Sequence, residues 1–463
     1  MKKKSLRFYV TIFIARMATV ALRLTGHKAT HFPGLLSNTL CPDFLGQIEK
    51  PKTIIGVTGT NGKTTVCNLI GDVLKKNGYE FVSNSEGANL SEGIVTALLA
   101  NSTFWGKPKK DLAVLEIDER YSPRIYPYLQ PDILACTNLF RDSYKRNAHS
   151  EYISGILNRV IPDKTRLVLN GDDLISNHLK PDNERVYFGI EWQEGEVSVT
   201  DNIINDMVVC PECDSPLNYE FIRYNHIGRA HCSRCGFGSP KVDYDVVRVD
   251  KKNARMTMIN KGQEEVYHMV GTSITDIYNM STTVAVLKEF GLDAEAIDKG
   301  FAKGRIVKSR FNAMKVGGKE LIFTLAKGQN PIACSRVFDY IRQQKGRKAV
   351  LLVIDDWFDA KDSSENIAWI YQADYEFLNR DDVKAVCSAG PRYLDYKVRM
   401  LLAGIDEEKI HVQKDWINAA DLITDEIIRE TDKIFVLYDV ATMHLVKKIR
   451  GDLTAKLKGG KKK

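Results

Sequence analysis

The sequence has little of what marks membrane and secreted proteins. Its one candidate membrane segment, residues 7–24, is interrupted by Arg16, and the longest apolar run in it is too short to span a bilayer. No small-residue cleavage site typical of a signal peptide accompanies it. The nine cysteines are an odd number in a chain of 463 residues, which argues against a disulfide framework and fits a reducing compartment. These absences predict a cytoplasmic protein.

A strong charge of either sign is also absent from the body of the chain. The formal net charge is +7, and Lys2 to Lys4 together with the five lysines of the final KLKGGKKK supply eight positive charges. The rest of the chain is near neutral, so its charge does not predict nucleic-acid binding. Two interpretations of the first apolar segment stay open. It is either a helix packed on the protein body or a basic amphipathic helix at the inner face of the plasma membrane.

The stretch GVTGTNGKTT, from Gly56 to Thr65, lacks one glycine of the common phosphate loop. The pattern G-x-x-x-x-G-K-[ST] requires glycine where this chain has Val57. A β-branched apolar run nevertheless precedes the stretch, and apolar positions at helical spacing follow it. Successive backbone N–H groups, a helix N-terminus and a lysine are what a phosphate site needs. The predicted ATP-binding residues of the loop are Gly59, Thr60, Asn61, Gly62, Lys63, Thr64 and Thr65.

Magnesium ligands are expected where the loop meets the next strand. Mg²⁺ prefers oxygen ligands, and Thr64 offers a hydroxyl. The run LAVLEID ends in Glu116 and Asp118, with Glu119 next, at the carboxyl edge where open α/β sheets bind ligands. We favour Glu116 as the second magnesium ligand. Solvated turn residues are the alternative interpretation of these acids.

Together these motifs resemble those of the Mur ligase superfamily. The phosphate loop of that family reads G-T-x-G-K-[ST], so it needs no glycine at position 57. The segments TNLFRDSYKR, LNGDD and YNMSTTVAV follow in the order of the family's own motifs. The resemblance implies a ligase that uses ATP and Mg²⁺ to activate a carboxylate as an acyl phosphate. It also implies nucleotide contacts from Asn138, Asn279 and Arg305.

Four cysteines form two closely spaced pairs, Cys210 with Cys213 and Cys232 with Cys235. The spacing C-x2-C-x18-C-x2-C is typical of zinc ribbons, in which two turns direct four thiolates at one tetrahedral ion. Because four protein ligands leave no open position, we expect a structural zinc site. A redox C-x-x-C pair and a nucleic-acid-binding ribbon are the weaker alternatives.

A ribbon inside a Mur-type central domain narrows the resemblance to the MurT family, the synthetase subunits of lipid II isoglutaminyl synthases. The stretches NSEGANLSEGIVTALL, EIDERYSPRI, LAKGQNP and WIYQADYEFL look like those of that family. The resemblance implies amidation of the α-carboxylate of D-glutamate in the lipid II stem peptide. It also implies a heterodimer with a GatD-like glutaminase that supplies ammonia, and no nucleic acid as partner.

Two other functions are rivals. One is a Mur-type or folylpolyglutamate-type ligase that adds an amino acid, and the other is a non-catalytic zinc-ribbon scaffold or nucleic-acid-binding protein. The ribbon and the C-terminal region argue against the first, and the retained Lys63, Thr64 and Glu116 against the second.

The resemblance also implies an aspartate that completes the Cys-His pair of the glutaminase partner. The family pattern is close to D-G-x-D-x-S-W, whereas this chain reads DDWFDAKDSSENIAW. Counting back from Trp369 without a gap selects Asn366, while aligning D-x-x-D selects Asp359 and Asp362. We favour Asp362 as this catalytic residue, and the other two positions stay open.

The expected architecture is an α/β fold with two main domains. A Mur ligase-like central domain with a parallel sheet, residues 51–304, carries the zinc ribbon as an insert at 205–245. A Rossmann-like α/β domain follows at 305–455. Residues 1–50 are expected to form an N-terminal helical segment, and residues 456–463 a basic tail.

Overall fold

The computed structural model describes residues 4–27, 29–84, 89–141, 149–302, 311–326, 328–354 and 367–459. The described residues divide into two compact units. The first contains residues 4–140, 149–200 and 206–302, and the second contains Arg141, residues 201–205 and residues 311–459.

A large, mainly parallel sheet forms the centre of the first unit. In the described residues it has nine strands in the order β11-β10-β9-β6-β5-β4-β1-β3-β2, and only the pairs β9–β10 and β10–β11 are antiparallel. The strands of this unit, including the separate hairpin β7–β8, are β1 Thr53–Thr58, β2 Phe81–Ser83, β3 Leu112–Glu116, β4 Ile133–Cys136, β5 Arg166–Asn170, β6 Arg185–Ile190, β7 Asn218–Tyr224, β8 Ile227–His231, β9 Tyr244–Asp250, β10 Arg255–Asn260 and β11 Gln263–His268.

Helices cover this sheet, and local sequence signals set their ends. The helix after β1 starts directly behind Gly62, and a capping box between Ser273 and Asp276 starts α8. Gly291 ends α8 in a left-handed conformation, with φ of 106°. The helices of the unit are α1 Leu6–Leu24, α2 Phe32–Leu40, α3 Phe44–Gln47, α4 Lys63–Lys76, α5 Ser91–Ala100, α6 Ser122–Ile125, α7 Ser150–Val160, α8 Ile274–Phe290 and α9 Ala294–Phe301.

The N-terminal helix α1 packs on the first unit with one face. Phe8, Ile12 and Ala15 on that face are fully buried in the apolar cluster that also holds Phe44 of α3. The rings of Phe8 and Phe44 lie 4.9 Å apart. This face therefore agrees with a helix packed on the protein body. Within the residues that the structure describes, no helix is both long enough and apolar enough to cross a membrane.

The second unit has its own sheet, with the strand order β12-β13-β17-β14-β15-β16 over its described part. All neighbouring strands are parallel except β12 and β13. Apolar clusters form its core on both sides of the sheet. Its elements are β12 Phe311–Val316, β13 Lys319–Leu325, α10 Pro331–Gln343, β14 Lys348–Val353, α11 Ala368–Gln372, β15 Val383–Ala389, α12 Tyr393–Leu402, β16 Ile410–Gln413, α13 Asp425–Glu430, β17 Lys433–Tyr438 and α14 Met443–Leu457.

A short segment between β6 and the ribbon belongs to the second unit. Asp374 accepts hydrogen bonds from the Asn202 side chain at 2.7 Å and from the Ile203 backbone N–H at 2.6 Å. Arg342 donates to Asp201 at 3.1 Å. These contacts fix residues 201–205 on the elements that follow β13.

Candidate active site

The turn of the phosphate loop lies between β1 and α4, and two glycines make it. Gly59 and Gly62 have φ of 120° and 91°, in the left-handed region that favours glycine. A Cβ atom on Gly59 would lie 2.3 Å from Oγ1 of Thr137, and one on Gly62 would lie 2.3 Å from Oδ1 of Asn279. Both glycines are therefore required by conformation and by close packing. Asn279 lies directly against the loop.

The segment that follows β4 holds the loop in place. The backbone N–H of Thr60 donates to the Asn138 carbonyl at 2.8 Å, and the N–H of Asn61 donates to Oδ1 of Asn138 at 3.1 Å. The Thr60 hydroxyl donates to the Phe140 carbonyl at 3.2 Å and accepts from the Phe140 N–H at 2.9 Å. Thr137 donates to the Asn61 carbonyl at 2.6 Å. The loop is thus ordered by the protein itself.

Lys63, the first residue of α4, is a buried cation paired with Glu119. Its Nζ lies 3.0 Å from Oε1 of Glu119, with 11% and 6% of the two side chains exposed, and it also donates to the Gly59 carbonyl. Burial lowers the pKa of Lys63, but the charges of Glu119, Glu116 and Asp118 outweigh it and leave that pKa above its ordinary value. Lys63 is therefore charged at neutral pH.

The two predicted magnesium ligands are adjacent. Oγ1 of Thr64 donates to Oε2 of Glu116 at 2.7 Å, and Nδ2 of Asn89 donates to the other carboxylate oxygen at 3.1 Å. Asn84 fixes the Glu116 backbone through two hydrogen bonds of 2.9 Å. A hydroxyl and a carboxylate held together beside the loop lysine are the oxygen donors that suit Mg²⁺. These residues therefore fit the ion.

A buried acid and a histidine of the ribbon hairpin contact the segment that anchors the phosphate loop. Asp173 accepts a hydrogen bond from the Leu139 N–H at 2.7 Å, and its other oxygen lies 3.2 Å from Nε2 of His226. Burial opposes ionisation of Asp173, but His226 and the Leu139 N–H outweigh it and hold its pKa below the usual range. The His226 ring lies 4.6 Å from that of Phe140. The hairpin therefore touches the residue that anchors Thr60.

Arg223 of the same hairpin joins the ribbon to α8. It donates to Oδ2 of Asp172 at 3.0 Å and to the Tyr278 hydroxyl at 2.8 Å, and that hydroxyl donates to Asp172 at 2.8 Å. Arg229 donates to the other oxygen of Asp172 at 3.0 Å. Because Tyr278 precedes Asn279, this buried network fixes the residue that lies against the phosphate loop.

The four predicted zinc ligands converge. The Sγ atoms of Cys210, Cys213, Cys232 and Cys235 all lie within 4.8 Å of one another. The Sγ atoms of Cys210 and Cys235 are 3.4 Å apart, and those of Cys213 and Cys232 are 3.5 Å apart. Tetrahedral Zn–S bonds of about 2.3 Å place sulfur atoms about 3.8 Å apart, so the cluster fits zinc. Each cysteine pair is followed by a residue in the left-handed region, Asp214 and Gly236.

Models of two protein families match the chain. The Mur ligase middle domain matches residues 57–207, and the MurT ligase C-terminal domain matches residues 327–443. The MurT subunit of lipid II isoglutaminyl synthase (glutamine-hydrolyzing) from Staphylococcus aureus strain COL is 32% identical over 89% of this chain and 91% of its own length. The chain belongs to the MurT family. The same subunit from Streptococcus pneumoniae R6 is 30% identical over 88% of this chain and 89% of its own length.

Solved structures support the Mur ligase fold of this MurT family chain. A pseudomurein peptide ligase type C from Methanothermus fervidus superposes with a TM-score of 0.66 at 20% identity, covering 89% of this chain and 81% of that one. MurF ligase from Thermotoga maritima gives a TM-score of 0.59 at 15% identity, covering 92% and 84%. The expected fold class is confirmed, as are the resemblance to MurT and the expectation of an enzyme.

The structure brings most of the predicted site residues of this MurT chain together. Gly59 to Thr65, Glu116, Asn138 and Asn279 meet at one edge of the first sheet. Arg305, Asp359, Asp362 and Asn366 lie outside the described residues. The sequence placed Glu119 among the candidate acids at the strand end without naming Lys63 as its partner, and it did not predict the support that the ribbon hairpin gives the loop. The acids at the end of the strand were the available signal for a partner of Lys63. No local sequence pattern indicated the contact between the hairpin and the loop.

Proposed function

We propose that the chain is the synthetase subunit that amidates the α-carboxylate of D-glutamate in the lipid II stem peptide to D-isoglutamine. ATP would activate the carboxylate as an acyl phosphate, and a GatD-like glutaminase would deliver ammonia in a heterodimer. Membership in the MurT family over 89% of the chain supports the reaction class. The observation that carries the chemistry is the grouping of Lys63, Thr64 and Glu116 around the N-terminus of α4.

The reaction has two steps, phosphorylation of the carboxylate and displacement of the phosphate by ammonia. A carboxylate oxygen of the substrate attacks the γ-phosphorus of ATP, ADP leaves, and an acyl phosphate forms. The nitrogen of ammonia then attacks the acyl carbon, inorganic phosphate leaves, and one proton is lost to give the amide. The carboxylate needs this activation because it is a poor acyl donor.

The residues of the chain act by positioning and charge. The N-terminus of α4 would face the phosphates, and Lys63 would offset charge on the transferring phosphoryl group. Glu119 keeps the lysine charged in its buried position. Thr64 and Glu116 would hold Mg²⁺, which neutralises phosphate charge when bound. Asn138, Asn279 and Arg305 complete the proposed nucleotide site, and four cysteines would hold a structural zinc ion.

The function is tested by co-purifying the chain with a GatD-like glutaminase. The pair is then supplied with lipid II, ATP and glutamine. We expect amidated lipid II, and a heavy-oxygen label in the substrate α-carboxylate should pass into the released phosphate. Label transfer supports the acyl phosphate, because only carboxylate attack on phosphorus moves that oxygen. Incorporation of a free amino acid instead of ammonia would support the rival ligase. Salt-dependent nucleic-acid binding without turnover would support the scaffold.

The assignment of Asp362 has a separate test in the reconstituted pair. If it orients the partner's catalytic histidine, Asp362→Asn should lower glutaminase activity about 10⁴-fold, as loss of a histidine-orienting aspartate does elsewhere. Asp359→Asn and Asn366→Asp are the matched variants at the two open positions. Unchanged glutamine hydrolysis in Asp362→Asn would exclude that residue, and a loss confined to Asp359→Asn would transfer the role there.

The substrate also bears on location. Lipid II is an amphiphile whose hydrocarbon chain is held in a bilayer, so amidation would take place at the inner face of the plasma membrane. We therefore propose a cytoplasmic protein that works at that surface.

A further inference from the structure

The N-terminal helix α1 has two apolar faces, and only one of them is covered by the protein. The covered face carries Phe8, Ile12 and Ala15, which have no exposed surface. The opposite face carries six apolar side chains that are 50% to 83% exposed, and their spacing of four and three residues places them in one row along the helix. The row consists of Leu6, Val10, Phe13, Met17, Val20 and Leu24.

A loop beside α1 widens this apolar row. Phe104 and Trp105 are 47% and 66% exposed. The Phe104 ring lies 6.3 Å from that of Phe13, and the Trp105 ring lies 5.9 Å from that of Tyr9 on α1. The exposed row and the two aromatic residues therefore form one surface, called here the α1 surface. Tryptophan side chains are enriched where proteins meet the headgroup region of bilayers.

The charge around the α1 surface is mainly positive, and Glu49, an acid beside the aromatic loop, is paired with Lys4. Residues 1–42 contain seven lysines and arginines and no aspartate or glutamate. Arg7 and Arg23 are exposed on α1, and Lys107 and Lys109 are exposed beyond the aromatic loop. A cationic border around an apolar face is complementary to anionic lipids, because the headgroups attract the cations while the acyl chains receive the apolar groups.

We propose that the α1 surface docks on an anionic phospholipid bilayer, with α1 parallel to the membrane plane. The helix cannot be surrounded by lipid, because Phe8 and Ile12 are packed in the protein core. An exposed apolar face of this extent marks an interaction site in a folded protein. The absence of any acid in residues 1–42 favours a lipid surface over a protein partner. The inference goes beyond the proposed function and names the surface that would bring the chain to a lipid-linked substrate.

The test measures partition of the purified full chain onto vesicles by flotation, without ATP, glutaminase or lipid II. At about 0.1 M NaCl we expect the chain to float with vesicles of equal phosphatidylglycerol and phosphatidylcholine, and at least tenfold less with pure phosphatidylcholine. The double variant Phe13→Ser/Met17→Ser should lose binding to the anionic vesicles at least tenfold. Arg23→Gln/Lys107→Gln should bind the anionic vesicles several-fold less than the wild type. This difference in binding should disappear at about 0.5 M NaCl.

The matched control is Leu394→Ser/Leu402→Ser. These two side chains are 57% and 67% exposed on α12, so the control removes equal apolar exposure elsewhere and should bind anionic vesicles like the wild type. Failure of the wild type to bind anionic vesicles would overturn the proposal, as would undiminished binding by Phe13→Ser/Met17→Ser. A concentration-dependent dimer abolished by that variant, without vesicle binding, would assign the surface to a second copy of the chain. None of these outcomes depends on whether the chain amidates lipid II.

Discussion

The phosphate loop and the four-cysteine cluster belong to the same unit but differ in what holds them in shape. The loop is fixed by hydrogen bonds from Thr137, Asn138 and Phe140 at the end of a buried strand. The cluster has a small apolar core of Leu174, Leu217 and Ala230 around two of its own cysteines. These bonds hold the loop to the large sheet, whereas the small core of the cluster leads us to expect that a metal ion contributes much of the order of the ribbon.

Because of this difference, we expect substitutions in the two regions to have different effects on activity and on order. A substitution in the loop should remove chemistry and leave the fold intact, because many neighbours hold the backbone. A substitution in the cluster should remove order first and chemistry second. The two regions are joined by Arg223 and His226, which reach from the ribbon hairpin to the residues around the loop.

The largest expected effect on activity is that of Lys63→Met. Removing one charge that stabilises the transferring phosphoryl group should lower amidation by about 10²–10³-fold. Because Lys63→Met leaves the Glu119 carboxylate buried without its partner, stability is compared in the double variant Lys63→Met/Glu119→Gln, whose melting temperature should change by less than about 4 °C. Lys76→Met, at the exposed end of the same helix, is the matched control and should keep full activity. A variant that is active but unstable would contradict the contrast between the two regions.

Cys232→Ser should have the largest effect on order. Loss of one thiolate removes a tetrahedral ligand, and structural zinc contributes on the order of 10 kcal/mol to small domains. We expect zinc measured by mass spectrometry to fall from about one ion per chain to near zero, and proteases to cleave within residues 205–245. Cys334→Ser removes a buried core thiol instead and should keep the zinc. Full zinc content in Cys232→Ser would exclude the four-cysteine site.

Glu119→Gln should alter the pH dependence of amidation. Burial alone would lower the pKa of Lys63, and Glu119 is the main charge that opposes it. In the wild type the raised pKa keeps Lys63 charged at neutral pH, and the stabilisation from its charge is lost only as pH rises through that pKa. Without Glu119 the lysine should lose its proton at lower pH. Rates measured from about pH 6 to pH 10 should then decline earlier in the variant. If the pH–rate profiles of the wild type and Glu119→Gln coincide on the alkaline side, Glu119 does not hold the lysine charged.

Features set by short local patterns could be predicted from the sequence, whereas contacts between distant residues could not. The phosphate loop, the Glu116 strand end and the cysteine pairs are short patterns, so their geometry could be predicted from local residues. The ends of α4 and α8 were likewise signalled by Gly62, Ser273 and Gly291. The support of the loop by the ribbon hairpin could not be predicted, because Arg223 and Tyr278 are 55 residues apart and no periodicity links them.

The smallest expected effect tests that long-range link. Tyr278→Phe removes one hydroxyl that accepts from Arg223 and donates to Asp172, next to Asn279. Asp172 keeps both arginines, so the loss should be near 1 kcal/mol, which is about a fivefold rise in the KM for ATP with kcat nearly unchanged. Tyr219→Phe removes a ribbon hydroxyl that donates to the Met207 carbonyl, and it should leave the KM for ATP unchanged. Equal KM values in the wild type and Tyr278→Phe would mean that the ribbon is attached to the nucleotide site without influencing it.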